Sequence, residues 1–286
     1  MTTEHFDSEP VNNERAQSLQ ADQTILVCHR DGDITTAAID PSGACTDLFN
    51  GTIEAADLMV AIGGRRIVSR SSHVTSTVRF WVHSVTPGGI VVSHRSSSWA
   101  SVEHLTAPAP NLLLGVSNGR AMTARVEADG RVRGLQDHVG WDLWTLVSAV
   151  GNSQVLCYNA SHRTAALVSV DEAGGYADVA SYTGFDRWSA IVASGLGPIL
   201  FYEFESGAAA TAVFGLDGQY ADLHTFQLDP GWRHVVPIGD GHFLFHAGAS
   251  GKALASLGRV TADGHFHDGA FVEPRMDPWP RITSVH

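Results

Sequence analysis

The C-terminal half of the chain contains three segments that repeat one another. Each begins with a tryptophan, continues through an apolar run and a glycine, and reaches an aromatic residue or a histidine 14 positions later. The pairs that mark the two ends are Trp144 and Tyr158, Trp188 and Tyr202, and Trp232 and His246. A second apolar run, an Asp-Gly-like turn and an aromatic residue followed by aspartate complete each unit. Short apolar runs separated by Gly and Asp predict four antiparallel strands per unit.

The same interval extends the repeat over almost the whole chain. Successive units are 41 to 47 residues apart, with markers at Leu58, Trp99, Trp144, Trp188, Trp232 and Trp279. Repeats of this length with four strands each are typical of the blades of a β-propeller. Helical repeats fit poorly, because the apolar runs are short, rich in Val, Ile, Ala and Thr, and interrupted by glycine.

The two ends of the sequence carry complementary parts of one repeat. The sixth unit starts at Trp279 and stops after one strand-length segment, and the strands it lacks match residues 24–29 and 34–39. We therefore predict an all-β fold, a six-bladed β-propeller over residues 23–286, closed where the C-terminal strand joins the N-terminal blade. Residues 1–22 are predicted to form a disordered N-terminal tail. An open array or a β-sandwich with coincidental spacing is the alternative.

Charge and hydropathy argue against several classes of partner. The formal net charge of −12, with no local Lys/Arg cluster, disfavours nucleic acid and anionic membranes. No apolar stretch reaches the roughly 18 residues of a membrane span, and the first residues lack the pattern of a signal peptide. Three cysteines without framework spacing indicate reduced thiols. Together these features predict a cytoplasmic protein.

The repeat pattern Trp-x-x-(Ile/Val)-Val…Gly…Leu-Phe-Tyr…Gly-x-Ala…Asp-Gly resembles the repeats of tachylectin- and tectonin-like propellers. The resemblance covers residues 23–286 and implies carbohydrate-binding pockets at or between blades. The sequence departs from a regular lectin array, because Leu58 stands in place of a tryptophan and other residues replace the tyrosine in four units, namely His29, Arg70, Gly115 and His246. Unequal blades argue against six equivalent sites.

An aspartate precedes the marker residue in five of the six units. The loops before the first strand and after the second strand share one face of a propeller, so these aspartates should line one rim. A carboxylate accepts paired hydroxyl hydrogen bonds beside an indole that stacks on a sugar, and a ring of carboxylates also suits a cation. The predicted ligand-binding residues are Asp142, Trp144, Asp186, Trp188, Asp277, Trp279, Arg70 and His234. Alternatively, the aspartates cap turns and the tryptophans pack between blades.

The residues that end the second strands differ among the units and combine imidazole, phenol and guanidinium groups. Imidazole titrates near neutral pH, so these positions could supply acid–base pairs. If the protein is an enzyme, the predicted catalytic residues are His29, Tyr158, Tyr202 and His246. The alternative is that these aromatic groups are partly buried and hydrogen bonded.

These patterns predict a lectin-like propeller that binds a carbohydrate or small polar ligand. The alternative is a hydrolase, lyase or cyclase of a biosynthetic type that uses His and Tyr in the central funnel. No cofactor is predicted. The 15 histidines invite a metal ion, but the pairs His242/His246 and His265/His267 lack a third ligand at diagnostic spacing, so no metal site is assigned. The oligomeric state is left open.

Overall fold

A computed structural model describes residues 24–40, 42–71, 78–99, 101–117, 119–195, 197–247, 254–272 and 279–285. Within these ranges the chain forms 24 β-strands and no helix, and hence no helix that could span a membrane. The strands form six sheets of four antiparallel strands. The predicted tail, residues 1–22, lies outside the described residues.

Each sheet is one blade, whose four strands follow one another from the centre of the propeller outward. Blade 1 comprises β24 (Arg281–Val285), β1 (Thr24–Arg30), β2 (Asp33–Ile39) and β3 (Cys45–Thr52). Blade 2 comprises β4 (Leu58–Ala61), β5 (Arg66–Ser71), β6 (Arg79–Val85) and β7 (Val91–Ser98). Blade 3 comprises β8 (His104–Ala109), β9 (Leu112–Ser117), β10 (Arg120–Val126) and β11 (Val132–Val139).

The remaining blades have the same order of strands. Blade 4 comprises β12 (Leu146–Gly151), β13 (Gln154–Asn159), β14 (Thr164–Val170) and β15 (Tyr176–Thr183). Blade 5 comprises β16 (Ala190–Ala193), β17 (Ile199–Tyr202), β18 (Ala208–Phe214) and β19 (Tyr220–Gln227). Blade 6 comprises β20 (His234–Gly239), β21 (His242–His246), β22 (Ala255–Val260) and β23 (Phe266–Phe271).

The innermost strands form a closed circle, in which each contacts the innermost strand of both neighbouring blades, in the order β24, β4, β8, β12, β16, β20. Strand β1 pairs with β24 on one side and with β2 on the other, with Ile25 opposite Val285. The predicted six-bladed propeller and its closure by the C-terminal strand are confirmed.

The hydrophobic core is divided into six clusters, one at each boundary between adjacent blades. The second strand of a blade contributes to two of them, because successive side chains point to opposite faces. In β13, Leu156 and Tyr158 pack toward blade 5, whereas Val155 and Cys157 pack toward blade 3. Burial on both faces explains why these strands are continuous apolar runs rather than alternating ones.

The turn between the third and fourth strands can place a glycine against the preceding blade. Gly174 has a φ of +84°, and a Cβ there would overlap the side chains of Thr123 and Leu135. The Thr123 hydroxyl donates a hydrogen bond of 2.8 Å to the Gly174 carbonyl. The same bond recurs only at alternate boundaries of the described chain, from Thr36 to Gly89 and from Thr211 to Gly264, each at 2.7 Å.

Candidate functional site

The start of each innermost strand and the end of the second strand lie side by side at one end of the propeller, which we call the upper face. In blade 4, Leu146 is opposite Tyr158, and in blade 5, Ala190 is opposite Tyr202. The pairs at this level are Arg281/His29, Leu58/Arg70, His104/Val116, Leu146/Tyr158, Ala190/Tyr202 and His234/His246.

This level of the upper face is chemically asymmetric. Blades 6, 1 and 2 are neighbours, and five of their six residues at this level are basic, whereas blades 3, 4 and 5 contribute only His104. We call this set the basic sector, and its members are His29, Arg70, His234, His246 and Arg281. In blade 3 the residue at this level is Val116, and not Gly115 as the spacing of the repeat predicts.

Tyr158 and Tyr202, two of the predicted catalytic residues, hold the loop that leads into the next blade. The Tyr158 hydroxyl donates to the Asp186 carbonyl at 2.7 Å and accepts from the Trp188 N–H at 3.2 Å. Tyr202 makes the same two bonds to Asp229 and Trp232, at 2.9 and 3.1 Å. Each hydroxyl is therefore bonded on both sides, and burial raises the pKa of Tyr202.

The tryptophans of the predicted Asp–Trp pairs lie at three different blade boundaries and are not brought together. Trp188 is only 9% exposed and packs on Phe201, with 5.6 Å between ring centroids. Trp144 and Trp279 pack against other boundary clusters, and the guanidinium of Arg30 lies 5.3 Å from the Trp279 ring centroid. The indole faces are thus largely occupied by protein.

The aspartates of these pairs are more accessible than the tryptophans. Asp142 and Asp186 are exposed, and Asp186 lines an open depression of about 490 Å³ together with Arg163 and Glu203. Asp277 lies outside the described residues.

One cavity of about 400 Å³ opens where blades 5, 6 and 1 meet at the upper face. Its described lining contains three basic side chains and no acidic one. The polar and aromatic lining residues include Ser189, Tyr202, Trp232, Arg233, His234 and Arg281. In a protein whose net charge is −12, this lining makes the cavity locally basic, and such surroundings favour an anion or developing negative charge.

Arg281 is held at the cavity by two backbone carbonyls. Its Nε donates to Asp57 and its Nη1 to Pro280, both at 2.7 Å. The carboxylate of Asp57 binds Arg70 through two hydrogen bonds of 2.8 and 2.6 Å. Asp57 therefore positions two members of the basic sector, Arg281 through its backbone and Arg70 through its side chain. Arg70 itself does not line the cavity.

His234 lines the cavity, and His246 lies behind it with 5.9 Å between ring centroids. Burial lowers the pKa of His234 to about 4, and His246 and Arg281 add to this effect. A hydrogen bond to the Trp279 backbone opposes the shift, as expected for a ring N–H that donates to a carbonyl. At neutral pH the other ring nitrogen of His234 is therefore unprotonated and can accept a proton.

His29 and His246 are both buried and occupy the level at which Tyr158 and Tyr202 join blades. His29 is 1% exposed, and its Nε2 accepts from the Gly32 N–H at 3.3 Å. Burial lowers the pKa of His29, and Arg281 contributes to the shift, against the opposing charges of Asp31 and Asp33. Only Tyr202 and His234 of the predicted site residues reach the cavity within the described chain.

Sequence reasoning missed Arg233 and Arg281, which flank the cavity. Both follow a marker tryptophan within two positions, and comparing that position among the units would have shown Arg281 where other blades have Leu146 or Ala190. No group of three or more His, Cys, Asp or Glu side chains suited to a metal ion occurs in the described parts of the chain.

Comparisons with known proteins support the fold and give no family. No family model matches the chain, and no curated protein matches it in sequence. A Bacteroides uniformis protein provisionally described as a 6-phosphogluconolactonase aligns with a TM-score of 0.64 and 10% identity, over 92% of this chain and 100% of that one. The periplasmic gluconolactonase of Pseudomonas aeruginosa aligns with a TM-score of 0.57 and 10% identity, over 92% and 99%.

A protein of unknown function from Desulfotomaculum acetoxidans gives a TM-score of 0.59 and 12% identity, over 94% of this chain and 90% of that one. At these identities the likeness shows the fold alone. Two of these three structures are described as lactonases and none as a lectin, so the resemblance to tachylectin- and tectonin-like repeats gains no support beyond the propeller fold.

Proposed function

We propose that the protein is a hydrolase that opens a small lactone or ester in the cavity between blades 5, 6 and 1. The observation that carries the proposal is that the His234 imidazole and the positioned guanidinium of Arg281 line one cavity of about 400 Å³, where burial lowers the pKa of His234 to about 4. Two propellers of similar fold described as lactonases support this reaction class over the lectin-like alternative.

In the proposed reaction a water molecule attacks the carbonyl carbon of the lactone. His234 accepts a proton from this water, and Arg281 stabilises the negative charge that develops on the carbonyl oxygen. When the ring C–O bond breaks, the leaving oxygen takes the proton back from His234. The product is the open hydroxy acid, and its carboxylate adds a negative charge beside Arg233 and Arg281.

The test is hydrolysis of glucono-δ-lactone and its 6-phosphate, followed as acid release and corrected for the spontaneous reaction in buffer. Replacing His234 by Gln removes the base, so we expect kcat to fall about 100- to 10,000-fold with the fold retained. In the native protein, kcat should decline as the pH falls through about 4, because protonated His234 cannot accept the proton. Arg281→Lys should also lower kcat.

Asp142→Asn is the matched control, because Asp142 is exposed in the segment between blades 3 and 4 and does not line the cavity. It should leave the rate unchanged. Equal rates for the native protein and His234→Gln would refute the proposal. Sugar binding without turnover that is lost in Asp186→Ala would favour the lectin-like function instead.

A further inference from the structure

A second cavity, of about 350 Å³, lies at the outer part of the boundary between blades 5 and 6. The end of β19 and strands β21 to β23 surround it. Trp232 lines this cavity as well as the one described above. The proposed hydrolysis uses none of its other residues.

Four aromatic side chains, Trp232, Phe245, Phe266 and Phe271, line this second cavity. Phe245 meets Phe266 edge-on, with 5.8 Å between centroids, and Trp232 is 6.1 Å from Phe245. Phe271 is 64% exposed, so its ring is accessible to a ligand from the solvent. Phe245 is 3% exposed and Phe266 stacks on Phe226 with 5.0 Å between centroids, so the accessible rings are those of Trp232 and Phe271. The face of an accessible aromatic ring carries partial negative charge and attracts cations.

Blade 6 differs from blade 5 in the partner of one carboxylate that lines this cavity. Blades 4 and 5 have Tyr176 and Tyr220 where blade 6 has Phe266, and the Tyr220 hydroxyl bonds Asp222. Phe266 has no hydroxyl to bind Asp268, the counterpart of Asp222. The Phe266 ring instead lies over Gly258, where a Cβ would overlap it.

The charged side chains in the lining of this cavity indicate which class of ligand it could bind. The described lining includes two carboxylates, Asp229 and Asp268, together with Gln227 and Ser256, and contains no basic side chain. A bare metal ion prefers a close shell of several oxygen ligands, and the described lining has only two carboxylates and no group of three or more His, Cys, Asp or Glu side chains suited to a metal ion. Phenylalanine rings offer no hydrogen bonds to sugar hydroxyls. A cation with an apolar surface can pack against the aromatic rings and pair its charge with the carboxylates.

We propose that this cavity binds a small organic ammonium ion, with its alkylated head against the aromatic rings and its charge balanced by Asp229 and Asp268. The site is independent of the proposed hydrolysis, although Trp232 lies between the two cavities.

Calorimetric titration of the full chain with choline tests the proposal. The neutral control ligand is 3,3-dimethyl-1-butanol, which has the shape of choline without the charge. We expect choline to bind in the millimolar range or tighter, and the alcohol to bind about tenfold more weakly, the ratio that corresponds to about 1.4 kcal/mol of cation–π and charge interaction. Phe271→Ala and Asp268→Asn should each weaken choline binding severalfold.

Asp178→Asn is the matched control variant, because Asp178 occupies the position of Asp268 in blade 4, outside the cavity. It should bind choline like the native chain. Equal binding of choline and the neutral alcohol, or no binding of choline up to about 10 mM, would overturn the proposal. His234→Gln should retain choline binding, so failure of the hydrolase proposal and failure of this one are distinguishable.

Discussion

At the scale of single residues, the side chains that lie side by side at the upper face have two different roles. The side chains that end the second strands point between blades, and those of Tyr158 and Tyr202 hold the next loop in place. The side chains that begin the first strands, His234 and Arg281, reach the cavity. Of the predicted second-strand residues, only Tyr202 also lines this cavity within the described chain.

The tyrosine contact can be tested by Tyr158→Phe. This change leaves the Asp186 carbonyl and the Trp188 N–H without their partner, so the free energy of unfolding should fall by about 1–3 kcal/mol. Urea denaturation measures the change. Tyr176→Phe is the control, because the Tyr176 ring packs on His138 and Trp141 and its hydroxyl makes no hydrogen bond within the described residues. An equal effect of the two changes would argue against the contact.

At the scale of elements, the hydrophobic core is concentrated at the boundaries between blades. A boundary such as that between blades 3 and 4 combines an apolar cluster with a turn glycine that fits against the preceding blade. The threonines of blades 1, 3 and 5 each donate a hydrogen bond to a glycine of the next blade. The equivalent positions of blades 2, 4 and 6 hold residues without a hydroxyl, Val82, Leu167 and Leu257. Successive boundaries therefore alternate, and the propeller has an approximate threefold repeat of blade pairs.

The fit of the turn glycine can be isolated by comparing two glycines with similar backbone angles. Gly174 and Gly184 have φ values of +84° and +81°, but only Gly174 lies against a neighbouring blade. Gly184→Ala should cost about 1–2 kcal/mol of stability from backbone strain alone. Gly174→Ala should cost about 1–3 kcal/mol more than that, because its Cβ overlaps Thr123 and Leu135. Equal thermal shifts for the two variants would contradict this account.

At the scale of the whole molecule, β24 connects the two ends of the chain. Ile282 packs at the boundary with blade 6, and Val285 packs at the boundary with blade 2. Without β24 these two boundaries lose apolar contacts, and β1 becomes an unpaired inner edge.

Deleting residues 279–286 should therefore abolish cooperative thermal unfolding, which circular dichroism measures. Deleting residues 1–20, which precede β1, is the control and should leave the melting temperature nearly unchanged. A truncated chain that lacks residues 279–286 and still melts like the native protein would show that the closure does not stabilise the propeller.

The sequence alone determined the strands, the blades and the closure of the propeller. These features follow from local patterns, because apolar runs buried on both faces, turn glycines and marker tryptophans recur at one interval. The closing strand was also predictable from the sequence, because the strands that complete its blade occur at the other end of the chain.

Only the tertiary structure decided which residues share a site. Arg281 and His234 are 47 positions apart in different blades, and they meet because β24 and β20 are neighbours in the closed circle. It also placed Trp188 in a boundary cluster, whereas the sequence left open whether this tryptophan stacks on a sugar at the rim or packs between blades. A repeat specifies how each blade is built, whereas a cavity depends on which side chains of different blades face one another, and the local pattern does not contain that information.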